Sequence, residues 1–160
     1  MIVYHGSNMS VEKPSLEYSK PNLDFGKGFY LTTFENQAER WAKRKVARKT
    51  GFAQISVYDL NDDFSGFRLK QFDEDNEDWV NFVCACRRGG DIYQQYDIII
   101  GGVANDKVFT VVDMYYKGLW NMERTLAELK FFKASNQICL VSQELIECNL
   151  VFSYGYEVPI

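Results

Sequence analysis

The apolar and polar positions alternate between two periods along this chain, and the switches outline its elements. Ile2-Val3-Tyr4 is an apolar, β-prone run that ends at His5 and Gly6, and it predicts a short opening strand. Residues 29–33, Phe-Tyr-Leu-Thr-Thr, predict a second strand, entered directly from Gly26-Lys27-Gly28. Phe34, Ala38, Trp41 and Ala42 then recur at helical spacing. Residues 52–60 alternate, with Ile55 and Val57 on one side, and Asn61-Asp62-Asp63 forms a turn. Residues 67–72 alternate more cleanly and predict another strand.

The acidic stretch 73–76 would cap a helix that carries Trp79, Phe82, Val83 and Cys86 on one face. Residues 96–102 predict a buried strand running into a Gly101-Gly102 turn. After Asn105-Asp106 a long helical pattern runs through Val108, Val111, Val112, Tyr115, Leu119, Met122, Leu126 and Leu129, with Gly118 as a break or kink. The chain closes with a strand at 136–142, a short helix at 143–147 and a strand at 150–152. No internal repeat, low-complexity tract or interdomain linker interrupts this order.

Composition narrows the picture. At 160 residues and 46% apolar, the chain is expected to form a single domain, 1–160, with a core of its own. A net charge of −4 gives no general affinity for nucleic acid. The four cysteines, at 84, 86, 139 and 148, lack zinc-type spacing and sit in apolar contexts, so they are expected to be reduced and mostly buried, with no metal site. No apolar stretch is long enough to cross a bilayer, and no apolar leader precedes the first strand; cytoplasmic residence without a membrane partner is the expectation.

His5 is the single histidine of the chain. A His at a strand end can offer a ring nitrogen to a ligand hydroxyl, and a Gly beside it lets a ligand reach backbone N–H and C=O. A primary carboxamide needs that donor and acceptor together. The competing reading is a histidine that caps a turn. Gly26-Lys27-Gly28 is neither a Rossmann fingerprint, since a strand and not a helix follows, nor a Walker loop, since no Gly-Lys-Ser/Thr is present.

Tyr4-His5-Gly6-Ser7 followed by Asp24-Phe25-Gly26-Lys27-Gly28-Phe29-Tyr30 resembles the poly(ADP-ribose) polymerase and diphtheria-toxin branch of the ADP-ribosyltransferases. The chain is also similar to a bacterial domain-of-unknown-function family of that type. Its members begin with Tyr-His-Gly-Ser, carry Asp-Phe-Gly-x-Gly-Phe-Tyr and a Gln-Ala-x-x-Trp-Ala helix, and contain Val-Ala-Asn-Asp. All four strings occur here, the last at Val103-Ala104-Asn105-Asp106.

The resemblance implies an α+β, ADP-ribosyltransferase-like fold: two small, mostly antiparallel sheets around an NAD cleft, with flanking helices. It implies NAD as co-substrate and His5, Tyr30 and Gln137 as the catalytic set. His5, Gly6, Ser7, Gly28, Tyr30 and Trp41 would be the NAD-binding set, with the nicotinamide stacked between Tyr30 and Trp41. The family's catalytic Glu is replaced by Gln137, which hydrogen-bonds but supplies no full charge. Chain elongation is then not expected. Mono-ADP-ribosyl transfer to a protein or nucleic-acid acceptor, NAD hydrolysis, and binding of NAD or ADP-ribose without turnover all stay open, as does a protein-interaction domain that merely keeps the fold. On the same expectation, a Gln137→Glu substitution would restore the missing charge and raise nicotinamide release. Such domains occur as candidate bacterial toxins or effectors, and a toxin implies a cognate antitoxin as partner.

Two charged strings have two readings each. Arg40, Lys43, Arg44, Lys45, Arg48 and Lys49 form a solvated face that complements a helix C-terminus, or else attract the NAD pyrophosphate or an acidic target. Asn105-Asp106 caps the following helix, or else lines a substrate-facing rim.

Overall fold

The computed structural model describes residues 1–133 and 135–160. In chain order it contains β1 (Ile2–Ser7), β2 (Phe29–Leu31), α1 (Glu35–Arg48), β3 (Gln54–Leu60), β4 (Leu69–Gln71), α2 (Glu77–Arg87), β5 (Ile98–Gly101), α3 (Asp106–Tyr116), α4 (Met122–Leu129), β6 (Gln137–Leu140), α5 (Gln143–Asn149) and β7 (Leu150–Glu157). Nearly every predicted element is present. Two 3-10 turns, Leu16–Tyr18 and Ile92–Gln95, were not foreseen, because neither is long enough to show a period.

The strands form two sheets, ordered β1-β3-β7 and β2-β6-β5-β4. All pairings are antiparallel except β4 with β5. A bridge between Tyr4 and Thr32 connects the two sheets. The fold is therefore α+β with two small, mostly antiparallel sheets, as expected.

Strand alternation sorts the side chains into three cores. Val3, Tyr58 and Leu60 of the first sheet meet Phe29, Leu31, Ile98, Ile138 and Leu140 of the second, and Leu145 and Ile146 of α5 close that layer. On the far side of the four-stranded sheet, Ile99 and Cys139 lie under Trp79 and Val83 of α2, Val108 and Val112 of α3, and Leu129 of α4. On the far side of the three-stranded sheet, Ile55 and Val57 lie under Ala38 and Ala42 of α1.

The helix ends follow local chemistry. The Asn76 side chain accepts from Trp79 N at 3.0 Å and starts α2. The predicted break at Gly118 is real: its φ is +78°, and Asn121 then caps α4. Asn105 accepts from the N–H groups of Lys107 and Val108 at 3.2 and 3.1 Å, so it caps α3. Asp106 lies 3.7 Å from Arg44 of α1.

Gly28 explains half of the Gly-x-Gly string. A Cβ there would lie 2.3 Å from Cys139 Sγ and 2.9 Å from Leu140 O, so the glycine lets β2 lie flush on β6. Gly28→Ala is expected to push the two strands apart and cost about 1–3 kcal/mol. Urea unfolding measures it, and an unchanged midpoint would contradict this packing.

Candidate functional site

The site grows from the place where β1 and β2 part. Met1 O accepts from Leu60 N on the β3 side, so the odd residues of β1 direct their backbone groups toward β3. The even residues face β2. Tyr4 exchanges both bonds with Thr32, at 2.8 and 3.0 Å. A continuing ladder would next pair Gly6 with Tyr30. Instead the His5 ring enters the gap, and its Nδ1 bonds Tyr30 O at 2.8 Å. The ladder stops after one bridge. Gly6 N–H and C=O point into the gap, and neither has a backbone partner among the described residues. An adjacent donor and acceptor left open at a strand edge form the complement of a primary carboxamide.

The same geometry fixes the histidine tautomer. A carbonyl oxygen only accepts, so Nδ1 carries the hydrogen and Nε2 presents a lone pair. The ring stacks on Phe29, centroids 4.3 Å apart. Burial, and then the charge of Lys45, lower its pKa to about 4, against a smaller opposing effect of the bond to Tyr30 O. His5 is therefore neutral at pH 7.

Tyr30 lies on the opposite face of β2 from Phe29, with its ring against the core beneath α2. Its hydroxyl accepts from Phe25 N at 3.0 Å and donates to Gly26 O at 2.6 Å. Burial raises the phenol well above its usual value, with Cys139 and Asp24 adding to the effect. A phenol so held orients a ring; it does not release a proton.

Trp41 stands on the turn of α1 that touches Gly6. A Cβ on Gly6 would lie 2.0 Å from Ala38 O and 3.0 Å from Ala42 N. Trp41 is half-buried and belongs to none of the three cores. Ser7 is buried, and its hydroxyl bonds its neighbour Asn8 at 3.4 Å. Gly28 touches β6, as described above, so its approach is to a strand.

Gln137 opens β6, buried on the Tyr30 face of the sheet. Its Nε2 donates to Asp24 Oδ2 at 2.9 Å and to Gly102 O at 3.1 Å. Asp24 Oδ2 also accepts from Ala104 N at 2.9 Å. Asp24 Oδ1 takes Arg87 Nε at 2.7 Å and Nη2 at 2.5 Å. Asp24 is thus a buried carboxylate that accepts three N–H hydrogen bonds and forms an ion pair with the Arg87 guanidinium. Asn136, beside Gln137, clamps β2: its Oδ1 accepts from Thr32 Oγ1 at 3.0 Å and from Thr33 N at 3.1 Å. Sequence reasoning gave no role to Asp24 or Arg87. The available signal was an acidic residue fixed at the head of the Gly-x-Gly string.

This network corrects the expectation for Gln137→Glu. A Glu there would set one carboxylate against another and against a carbonyl, with no donor for either. Asp75, next to Gly102, adds a third carboxyl, already raised to about 6 by burial and then by Asp24.

The basic string lies along the exposed part of α1 and into its C-terminal turn. Lys45 is held below the usual amine range by burial, then by Lys20 and Lys49. Lys20 is lowered first by Lys49 beside it, then by burial and the charge of Arg48. The cations crowd one another close to His5. A cleft of about 210 Å³ lies elsewhere, between α2 and α3, lined by Arg87, Arg88, Phe109 and Tyr116. It touches the network only through Arg87. Among the described residues, no group of His, Cys, Asp and Glu is placed to hold a metal ion, and no helix is long and apolar enough to cross a membrane. Cys84, Cys86 and Cys139 are buried free thiols, while Cys148 is exposed.

Two outcomes follow from this geometry. The unfolded imidazole titrates near 6.5 and the folded one near 4, so the unfolded state binds the extra proton between those values. The His5 contribution is complete above about pH 6.5 and falls away toward pH 4, by about 3 kcal/mol. Asp75 acts in the opposite sense over part of that range, so the direct measurement is an NMR titration of the single imidazole. A midpoint near 6.5 would show an exposed ring. Gln137→Glu is expected to lower stability by about 3 kcal/mol at pH 7, read by urea unfolding.

None of the curated proteins matches the chain. A family model described as Protein of unknown function (DUF3990) matches residues 1–152. That match spans all of the elements just described except the end of β7, and on this ground the chain belongs to the DUF3990 family.

Proposed function

We propose that this protein is an NAD-dependent mono-ADP-ribosyltransferase. What supports the reading most is the open donor–acceptor pair of Gly6, held apart from β2 by the His5 ring. A carboxamide N–H₂ would donate to Gly6 C=O, and the carboxamide oxygen would accept from Gly6 N–H. The nicotinamide ring would then lie between Tyr30 and Trp41, where the face of an aromatic ring attracts a pyridinium cation. Neutral His5 offers Nε2 to a ribose hydroxyl. The crowded cations at the end of α1 suit the pyrophosphate, whose charge would relieve their mutual repulsion.

In the proposed reaction the bond between ribose C1′ and the nicotinamide nitrogen breaks. Its electron pair goes to that nitrogen, which becomes neutral, and the positive charge passes to the ribose as an oxocarbenium-like centre. An acceptor lone pair forms the new bond to C1′, and the acceptor proton leaves to solvent. With water as acceptor the outcome is NAD hydrolysis. Positioning and electrostatics carry such a step. A second reading, a catalytically inactive NAD or ADP-ribose-binding module, draws support from one observation: Gln137 is neutral, and both of its amide hydrogens are committed.

Incubation with NAD, followed by separate measurement of NAD affinity and nicotinamide release, distinguishes the two. Binding with release supports the transferase; binding without release supports the module. Tyr30→Ala and Trp41→Ala are each expected to weaken NAD binding by about 1 kcal/mol, or about fivefold. Unchanged affinity in a folded double variant would remove the sandwich.

A further inference from the structure

We infer that Asp24 acts on the reaction through Gln137, supplying the electrostatic role that a carboxylate at position 137 would fill. The inference rests on the NAD reading above and concerns a residue that this reading does not use. Both Nε2 hydrogens of Gln137 are spent, on Asp24 Oδ2 and Gly102 O. The amide cannot turn over, since Oε1 would then face a carboxylate and a carbonyl. Its orientation is fixed. Oε1 accepts no hydrogen bond from a described residue, so among these residues it is the free end of the amide. The register sets Gln137 on the Tyr30 face of the sheet, where the ribose of the proposed substrate would lie.

Asp24 does more than orient. A hydrogen bond to an ionised acceptor draws an amide toward its charge-separated form, with more negative charge on the carbonyl oxygen. An oxocarbenium-like centre beside Oε1 meets that partial charge, with a full carboxylate one hydrogen bond behind it. The division of partners on Asp24 favours this relay. Arg87 occupies Oδ1, and Oδ2 is left to Ala104 and Gln137. The guanidinium stacks over Phe109 at 4.1 Å and lines the cleft on the α2–α3 side. Asp24 is a positioning residue, and Gln137 Oε1 is the group that faces the ribose.

Asp24→Asn alone would leave Arg87 unpaired, so the working variant is Asp24→Asn with Arg87→Gln, which removes both charges together. Nicotinamide release at saturating NAD is measured beside NAD affinity by calorimetry. The paired variant is expected to lose about tenfold or more in kcat, with Kd changed by less than about twofold. Gln137→Ala should lose a similar factor, and combining it with the paired variant should add little, because the two lesions remove one function. A purely structural pair predicts wild-type kcat in the folded variant, or losses that multiply; either result overturns the inference. If the paired variant does not fold, Asp24→Glu replaces it. That change keeps the charge and displaces it by one methylene, with the same split of kcat and Kd expected and an unchanged kcat overturning the inference. A wild type that neither binds nor cleaves NAD overturns the NAD reading and the inference together. A wild type that cleaves NAD while the variant matches it overturns the inference alone.

Discussion

A buried carboxylate is the constraint on which this structure is built. Asp24 is almost fully removed from water, and an ionised group there is tolerated only when its oxygens are filled by donors. Its donors come from three places distant in sequence: the end of α2, the turn after β5 and the first residue of β6. Satisfying Asp24 therefore fixes how the Gly-x-Gly loop, α2 and the four-stranded sheet meet. Val103-Ala104-Asn105-Asp106 finds its physical reason here. Ala104 N–H feeds Asp24, Ala104 C=O accepts from Arg87 at 3.3 Å, Val103 N–H donates to Ser135 Oγ at 3.0 Å, and Asn105 caps α3. The capping reading of Asn105 is the one the geometry bears out.

The second constraint is the parting of β1 from β2. Among the described residues one backbone bridge links the edges of the two sheets, and one imidazole keeps them from zipping further. Because that half-buried imidazole is neutral, it donates from Nδ1 without adding charge to the gap. Tyr30 links the two constraints. Its carbonyl takes the His5 hydrogen, and its hydroxyl is tied to Phe25 and Gly26, next to Asp24. Displacing either end of this residue would disturb both halves of the candidate site.

A neutral residue at position 137 also becomes intelligible. Next to Asp24 Oδ2 and Gly102 O, only a donor is accommodated, and an amide supplies two hydrogens on one nitrogen. Charge at positions 24 and 137 is thus mutually exclusive in this packing.

The local elements were legible because short-range periodicity determines them. The apolar face of α2, the break at Gly118 and the strand–helix–strand ending all follow from side-chain spacing within a few residues. His5 and Gly6 stood out for their residue types and their neighbours, while Tyr30, Trp41 and Gln137 were singled out by the family resemblance. Tertiary structure alone decided what these groups touch. Asp24 meets Arg87, Ala104 and Gln137 across separations of 63, 80 and 113 residues, and no periodicity encodes such pairings. The parallel pairing of β4 with β5, the tautomer of His5 and the open backbone of Gly6 are likewise consequences of which strands become neighbours. Hydrophobic spacing sets which face of an element is buried. Where a buried polar group finds its partners is settled only when distant segments pack, since each such group must be satisfied by whatever the fold brings beside it.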